Sequence, residues 1–194
     1  MNDKLKWFNK YKYTLDTAHE MPWNMDILHI SMLKRAIPKD AIRIIEIGSY
    51  RGASTAAFVE ALNEGKNFEL HLIEPKPQEQ LYRLINKCEK RANIVLHKCR
   101  SHDVFLQCDM VLIDGSHDWP ALHDIARSLA MGTPVIAMHD TRTYLYGQSD
   151  CWGAYEAGKI LRNCPSRKWQ EDCKPRRGMH THRGFLISTG GKTK

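Results

Sequence analysis

Long apolar runs are missing from this sequence of 194 residues. None approaches the roughly 18 residues of a membrane-spanning helix, so no membrane partner is expected. The opening residues MNDKLKWFNKYKY are charged and aromatic, and they lack the apolar core of a secretory signal. We therefore expect a soluble protein that remains in the cytoplasm.

Closely paired cysteines are also missing. The six cysteines form no C-x-x-C pair, and no targeting segment argues for an oxidising compartment, so reduced thiols are expected. One alternative zinc set can be drawn from the C-terminal part of the chain: Cys151, Cys164, Cys173, His180 and His182. Its spacings match no familiar zinc pattern, which favours ordinary thiols.

Most of the chain has no excess of charge of either sign. Residues 1–161 hold 20 basic and 20 acidic residues, so the net charge of +7 arises in residues 162–194. A basic segment of this kind suits an anionic substrate or a nucleic acid. Because no aromatic–basic interleaving or nucleic-acid motif accompanies it, we favour a solvated surface and expect no nucleic-acid partner.

Short β-branched runs alternate with longer amphipathic stretches from Ile42 onward, which predicts an α/β fold built from βαβ units around a parallel sheet. Strands are predicted at 42–47, 69–73, 93–97, 109–113 and 134–138, with a later antiparallel pair at 168–174 and 183–189. Helices are predicted at 25–37, 53–65, 76–90, 120–130 and 149–163.

No internal repeat or linker divides the chain, so residues 1–194 are predicted to form one domain. We divide it into an N-terminal helical segment at 1–40, a cofactor-binding core at 41–148, and a C-terminal part at 149–194. That last part would contain a helix, a strand pair and a basic tail.

A glycine-containing turn follows the first predicted strand, in the segment EIGSYRGAS from Glu46 to Ser54. Gly48 and Gly52 permit a tight turn and a close approach of the backbone to a ligand, and the next helix offers free N–H groups. The segment is neither G-x-G-x-x-G nor a Walker motif, so a pyrophosphate or triphosphate ligand is not favoured. Simple loop geometry is the alternative explanation.

An acidic residue, Glu74, ends the second predicted strand. In doubly wound sheets a carboxylate at this place usually binds the ribose hydroxyls of a nucleotide-like ligand, since it can accept from both. A surface glutamate before a helix is the other interpretation. Together with the glycine turn, Glu74 favours a nucleoside-containing ligand.

These segments resemble motifs of a known family. EIGSYRGAS looks like the cofactor loop of the catechol O-methyltransferase family, and KCRSHDV at 98–104 resembles the loop that contacts adenine there. The strand end IDGSH and the later His-Asp pair are similar to those of macrolide-sugar O-methyltransferases and cephalosporin-hydroxylase-like proteins. Residues 42–140 thus resemble class I S-adenosylmethionine-dependent methyltransferases, and specifically the small metal-assisted O-methyltransferases.

The resemblance implies a Rossmann-like, mostly parallel seven-stranded sheet with one antiparallel edge strand, helices on both faces, and S-adenosylmethionine at the carboxyl edge. Trp119 would stack near adenine, although core packing explains that residue equally well. The residues implied to contact the cofactor are Glu46, Gly48, Ser49, Tyr50, Gly52, Ser54, Glu74, Ser101, His102, Asp114 and Trp119.

The resemblance also implies a divalent-cation site. Asp114 ends one strand and His139-Asp140 ends the next, so Asp114, His139 and Asp140 are the expected ligands. The related enzymes have Asp-Asn or Glu-Asp where this chain has His-Asp. A histidine ligand could shift the preference from Mg²⁺ to Mn²⁺, Fe²⁺ or Zn²⁺, or leave the site without a metal.

Asp114 and His117 are the expected catalytic residues. His117 occupies the place of the general base in the related enzymes, and an imidazole suits proton transfer near neutral pH. The alternative is that His117 only orients Asp114.

The predicted function is methyl transfer from S-adenosylmethionine to a hydroxyl of a small-molecule acceptor, with self-association left open. A methyltransferase-like domain that binds without turnover is one alternative. Nucleic-acid methylation is another, although the fourth strand ends IDGSHDW and not in the Asn/Asp-Pro-Pro-aromatic segment of base-methylating enzymes.

Overall fold

The computed structural model describes residues 25–104, 106–173 and 183–190. Seven of the described segments are strands: β1 Arg43–Ile47, β2 Glu69–Ile73, β3 Ile94–His97, β4 Met110–Ile113, β5 Val135–His139, β6 Arg167–Asp172 and β7 Phe185–Gly190. Five are α-helices: α1 Ile27–Ala36, α2 Thr55–Asn63, α3 Glu79–Asn86, α4 Trp119–Ala130 and α5 Trp152–Asn163. None of these helices is long and apolar enough to cross a membrane.

The strands form one sheet in the order β3-β2-β1-β4-β5-β7-β6. The first five pair in parallel, whereas β7 is antiparallel to both of its neighbours. The predicted α/β class with a mostly parallel seven-stranded sheet is therefore confirmed. The antiparallel strand lies one place in from the edge, because β7 pairs with β5 on one side and with β6 on the other.

Alternating side chains of the strands build an apolar core on each face of the sheet. In β1, Ile44 packs with the core beneath α1, α2 and α3, whereas Ile45 and Ile47 pack with the core beneath α4 and α5. Helices on both faces were predicted, and the structure confirms them. The period-two pattern is what sends successive residues to opposite faces.

Four of the five helices are shorter than the sequence patterns predicted, whereas the helix predicted at 120–130 begins one residue earlier, at Trp119. The segment 53–65 forms a helix only over Thr55–Asn63, and Gly65, with φ of 100°, provides the left-handed residue after its end. The segment 76–90 is helical only over Glu79–Asn86. Polar residues at helix ends continue an amphipathic pattern beyond the last helical turn, so the pattern alone does not locate the boundary.

The chain changes direction across the sheet at β1. From β1 it proceeds to β2 and β3 on one side, then returns to β4 and β5 on the other. The loops that follow β1 and β4 therefore diverge to opposite faces. In open α/β sheets this place, outside the carboxyl ends of the strands, is where ligands bind.

Candidate functional site

A cleft of about 710 Å³ lies at the carboxyl ends of β1, β2, β4 and β5. Its size is within the ordinary range for small-molecule and cofactor sites. Ten of the residues predicted to bind the cofactor or a metal, or to act in catalysis, line it: Gly48, Ser49, Tyr50, Ser54, Glu74, Ser101, His102, Asp114, His117 and Asp140. Glu46, Gly52, Trp119 and His139 are not among the lining residues.

The turn after β1 is held directly against the end of β4. The Gly48 N–H donates to the carbonyl of Ile73 at 2.9 Å, and the Asp114 N–H donates to the carbonyl of Ile47 at 2.9 Å. Gly48 has φ of 90°, and a Cβ on it would lie 2.2 Å from the carbonyl oxygen of Asp114. Only glycine fits both this conformation and this approach.

Gly52 has a structural role and does not face the cleft. Its φ is 89°, and a Cβ there would lie 3.0 Å from Leu84 and 3.2 Å from Leu81, both on α3. Its N–H donates to the carbonyl of Ser49 at 2.6 Å, which closes the turn. Gly52 therefore shapes the loop, and its predicted place among the cofactor contacts is not supported by the cleft.

Glu46 lies beneath the same loop and is fully buried. Its carboxylate accepts from the hydroxyl of Ser54 and from that of Thr55, the latter at 2.6 Å. Burial raises the pKa of Glu46 to about 7, although these hydroxyls oppose the shift. Glu46 ties the loop to the start of α2 from below, so it positions the residues that line the cleft and does not line it.

We predict that Glu46→Gln alters how stability depends on pH. A folded-state pKa near 7, above the ordinary 4.5, contributes stability below pH 4.5 that is lost as pH rises through 7. From pH 5 to pH 8 the wild-type free energy of unfolding should fall by up to about 3 kcal/mol more than that of the variant. Urea unfolding at both pH values measures the difference, and Glu89→Gln at an exposed position is the control. Equal pH dependence of wild type and Glu46→Gln would contradict the prediction.

Glu74 lies where the sequence predicted a ribose-binding carboxylate. Its Oε2 accepts from the Tyr50 N–H at 2.9 Å, and its Oε1 accepts from the Lys76 N–H at 2.8 Å. These two backbone donors fix the carboxylate at the wall of the cleft. Each oxygen keeps a further lone pair for a ligand hydroxyl.

Ser101 and His102 form a short 3₁₀ turn after β3 and line the cleft beyond Glu74. Asp124 of α4 joins them, and sequence reasoning missed it. Its side chain is 3% exposed and lines the cleft, and burial raises its pKa. Asp124 lies on the helix face that also buries Ala121, Ile125 and Ser128, so an acid on the apolar face of α4 was the available signal.

Trp119 contacts neither the core nor the cleft. Its side chain is 71% exposed and packs edge-to-face on Trp152, with the ring centroids 5.0 Å apart. It borders a second, shallower depression of about 550 Å³ that shares Ser101 and His102 with the cleft. The structure thus does not support core packing for this residue, and stacking near adenine stays a prediction.

Three side chains form a compact cluster at the other end of the cleft, namely Asp114, His117 and Asp140. The Nε2 of His117 lies 3.0 Å from Asp140 Oδ2 and 4.0 Å from Asp114 Oδ1. One donor atom from each residue lies within 4.8 Å of the others. Such a group can hold a metal ion.

Local backbone structure places two members of this cluster. Asp140 has φ of 56°, a left-handed conformation that aspartate tolerates, and its Oδ1 accepts from the Thr143 hydroxyl at 2.7 Å. His117 is held through its carbonyl, which accepts from the Ala154 N–H of α5 at 2.9 Å. Both residues are therefore held by the segment that follows β5.

The charges in the cluster shift one another's proton affinities. Burial acts to raise the pKa of Asp114 and Asp140, but the neighbouring imidazoles outweigh it and hold both pKa values below their usual range. Burial likewise acts to lower the pKa of His117, but the two carboxylates raise it to about 10. Two acids and the imidazole between them thus stabilise one another as ions.

His139 lies behind the cluster and not in the cleft. Its ring is 1% exposed, and its Nδ1 lies 3.1 Å from Asp114 Oδ1 and 3.2 Å from Asp140 Oδ2. It shares a strand face with Val135 and Ala137, which pack in the core beneath α1. Because of this alternation His139 does not line the cleft, and His117 is the histidine beside Asp114 and Asp140 that does so.

The alternative zinc set finds no support among the described residues. All six cysteines are free, and the metal-capable cluster found in the described part of the chain contains no cysteine. His180 and His182, which would complete that set, lie outside the described residues.

A sheet of this strand order, with a glycine turn after β1 and a carboxylate after β2, defines the class I methyltransferase fold. A family model described as a methyltransferase domain matches residues 45–141, which is half of the chain. The chain therefore belongs to the methyltransferase domain family and is an S-adenosylmethionine-dependent methyltransferase. Among curated proteins no sequence matches it.

Solved structures share this fold. TomG, the O-methyltransferase from Streptomyces achromogenes involved in tomaymycin synthesis, was crystallised with SAM; its TM-score is 0.72 at 16% identity, over 95% of this chain and 89% of TomG. Cofactor-bound Rv0187 from MTB has a TM-score of 0.72 at 17% identity, over 95% of this chain and 89% of its own. The O-methyltransferase from Bacillus cereus in complex with SAH has a TM-score of 0.67 at 15% identity, over 96% and 91%.

Proposed function

We propose that the protein transfers the methyl group of S-adenosylmethionine to a hydroxyl of a small molecule with the help of a divalent cation. One observation carries this proposal. The cluster of Asp114, His117 and Asp140 opens into the same cleft as the turn after β1 and Glu74. A cofactor site and a candidate cation site thus share one cavity.

The cleft residues fit the cofactor in the order that the sequence indicated. The Gly48–Ser54 turn would contact the methionine part, Glu74 the ribose, and Ser101 and His102 the adenine edge. Asp124 adds a buried carboxylate at the adenine end. With the cofactor in this order, the reactive sulfonium would lie near the end of β4, beside Asp114.

We predict that Glu74→Gln weakens binding of S-adenosylhomocysteine by roughly 10–100-fold, because a charged hydrogen-bond acceptor is lost where the side chain is already oriented. In the variant, the amide NH₂ group would also face one of the two backbone N–H groups that donate to the carboxylate in the wild type. Isothermal titration calorimetry measures the affinity. Glu79→Gln, at an exposed position on α3, should leave the affinity unchanged. Unaltered affinity in Glu74→Gln would contradict the ribose assignment.

The cluster also fits a divalent cation. His117 Nε2 is buried and makes no well-formed hydrogen bond, although a carboxylate oxygen lies 3.0 Å away. The Nε2 of His117 and the carboxylates of Asp114 and Asp140 thus converge on one place in the cleft. Two carboxylates suit Mg²⁺ or Mn²⁺, with waters and the acceptor oxygen completing the shell, which leaves the Nε2 of His117 for the proton.

In this scheme Asp114 and Asp140 hold the cation, which when bound polarises the acceptor oxygen and lowers its pKa. His117 accepts the proton of the acceptor hydroxyl at Nε2. A protonated imidazole cannot accept this proton. The two carboxylates that keep His117 protonated are the ones proposed to bind the cation, and once they bind it their charge no longer holds the proton on the ring. The remaining contribution is the alignment of sulfur, methyl carbon and oxygen for transfer with inversion, a proximity effect worth several kcal/mol.

Formation of S-adenosylhomocysteine from S-adenosylmethionine tests the proposal. A panel of catechols, other phenols, sugars and hydroxy acids would be incubated with Mg²⁺, with Mn²⁺ or with EDTA. We expect turnover of at least one acceptor and its loss in EDTA. Turnover insensitive to EDTA would remove the cation, and cofactor binding without turnover on any acceptor would favour a binding domain.

We further propose that the protein acts in the cytoplasm on a small molecule and not on nucleic acid. The absence of a spanning helix among the described residues is in keeping with this setting. The absence of a nucleic-acid motif in the sequence supports the choice of acceptor. Salt-dependent binding to RNA or DNA would contradict it.

A further inference from the structure

A second histidine lies directly behind His139, on the side away from the cleft. The Nδ1 of His29, on α1, lies 3.3 Å from the Nε2 of His139. The two rings meet edge-on with centroids 5.4 Å apart, and His29 is only 6% exposed. The carboxylates of the cluster thus contact the buried ring of His139, and that ring contacts the buried ring of His29.

The chain continues to an acid on the edge strand. His29 Nε2 lies 3.5 Å from Asp172 Oδ2, and the His29 ring stacks on Phe185 with centroids 5.2 Å apart. His139 is on β5, Asp172 on β6 and Phe185 on β7. Three strands that are distant from α1 in sequence therefore contact the His29 ring. An unbroken series of polar contacts therefore links the cluster to Asp172.

The partners at the two ends fix where the hydrogens lie. Carboxylates only accept, so the Nδ1 of His139 must carry a hydrogen to meet Asp114 and Asp140. By the same rule the Nε2 of His29 carries a hydrogen toward Asp172, so a single hydrogen lies between the Nε2 of His139 and the Nδ1 of His29, and one of the two rings carries a positive charge that the acids at both ends balance. Without His29, a ring nitrogen would lose its partner in the core, and the ring would lose the contact that sets its angle.

We infer that His29 is a positioning residue for the cation site: through the ring of His139 it holds the carboxylates of Asp114 and Asp140 in their ligand arrangement, and Asp172 anchors it. This inference rests on the proposed cation-assisted function. Groups that hold metal ligands in place typically contribute 10–100-fold to metal affinity or activity.

A packing role alone would not require these atoms. Phe185 already stacks on the ring, and a phenylalanine in place of His29 would fill the same space without burying two polar nitrogens. The two explanations differ in which nitrogen matters. Only the positioning role depends on the Nδ1 that faces His139.

Three substitutions at position 29 separate these roles. His29→Phe keeps the ring and loses both nitrogens. In His29→Asn the amide is attached at Cγ, as Nδ1 is, so its nitrogen or its oxygen can still hydrogen-bond to the Nε2 of His139. His29→Gln places its amide nearer to Nε2 and Asp172, and cannot replace the contact with His139.

Binding of Mn²⁺ to the full chain, followed by electron paramagnetic resonance of the free ion, is the primary measurement. We expect His29→Phe and His29→Gln to weaken Mn²⁺ binding about tenfold, and His29→Asn to restore it to within about threefold of wild type. Affinity for S-adenosylhomocysteine, measured by calorimetry, should be unchanged in all three, and Asp140→Asn should abolish the Mn²⁺ site.

Equal Mn²⁺ affinity in wild type and His29→Phe would overturn the inference and leave the proposed function intact. Absence of Mn²⁺ binding to the wild type would instead overturn the cation part of the proposed function, and the inference with it. If His29→Phe does not fold, Asp172→Asn provides the decision. This variant removes the group that anchors His29 at the edge strand. Weakening of Mn²⁺ binding by about tenfold supports the inference, and affinity within about threefold of wild type overturns it.

Discussion

Asp140→Asn should lower kcat about 100-fold or more and leave S-adenosylhomocysteine binding within about threefold of wild type. Asparagine keeps the shape of the side chain and adopts the left-handed conformation of Asp140, with its φ of 56°. It can also still accept from the Thr143 hydroxyl. The substitution therefore removes one negative charge from the cluster and places an NH₂ group where Oδ2 now faces His117 and His139.

The measurement is steady-state formation of S-adenosylhomocysteine at saturating cofactor, together with calorimetry for binding. Asp150→Asn is a matched control, since Asp150 is exposed ten residues further on and should show wild-type kinetics. Full activity of Asp140→Asn would show that the carboxylate has no part in the reaction. Equal losses of activity and cofactor binding would indicate a general disruption of the cleft.

Gly48→Ala should have the largest effect on folding. A Cβ there would lie 2.2 Å from the Asp114 carbonyl oxygen, and the residue would be held at φ of 90°. Left-handed backbone costs an alanine roughly 1–2 kcal/mol by itself, and separating the ends of β1 and β4 adds to it. We expect a total loss of about 4 kcal/mol or more and no binding of S-adenosylhomocysteine.

Gly65→Ala is the control for backbone strain alone. Gly65 has φ of 100°, but no atom lies within 4 Å of the place a Cβ would take. It should therefore show only the cost of the left-handed conformation and keep full cofactor affinity. Thermal and urea unfolding of both variants give the comparison, and equal losses of stability would contradict the steric argument.

The sequence predicted the strands well because each is a short apolar run between turn residues. Predicted segments such as 42–47 and 109–113 differ by one residue from the observed β1 and β4. The order of the strands could not be read from these runs, since pairing depends on contacts distant in sequence. The resemblance to a known family predicted a seven-stranded, mostly parallel sheet. Only the structure showed that β7 lies between β5 and β6 and not at the edge.

The candidate site was predicted as a set of strand ends, and the structure brings most of them to one cleft. The exceptions have physical causes. His139 turns away because it shares a strand face with Val135 and Ala137, which the alternation in β5 already indicates. Trp119 lies in the first turn of α4 and is exposed. At this place the sequence does not show whether a side chain is buried or exposed. The contact of His29 with His139 joins residues 110 positions apart and has no local signal.

The position of β7 between β5 and β6 also sets an order of assembly during synthesis. The ribosome delivers β5 and β6 before β7, yet they cannot pair with each other if β7 is to enter between them. Phe185 of β7 and Asp172 of β6 support His29, so the carboxylate end of the cleft is completed only after this late insertion. The turn after β1 and Glu74 depend on earlier strands, so the nascent chain can form its cofactor half before its reactive half.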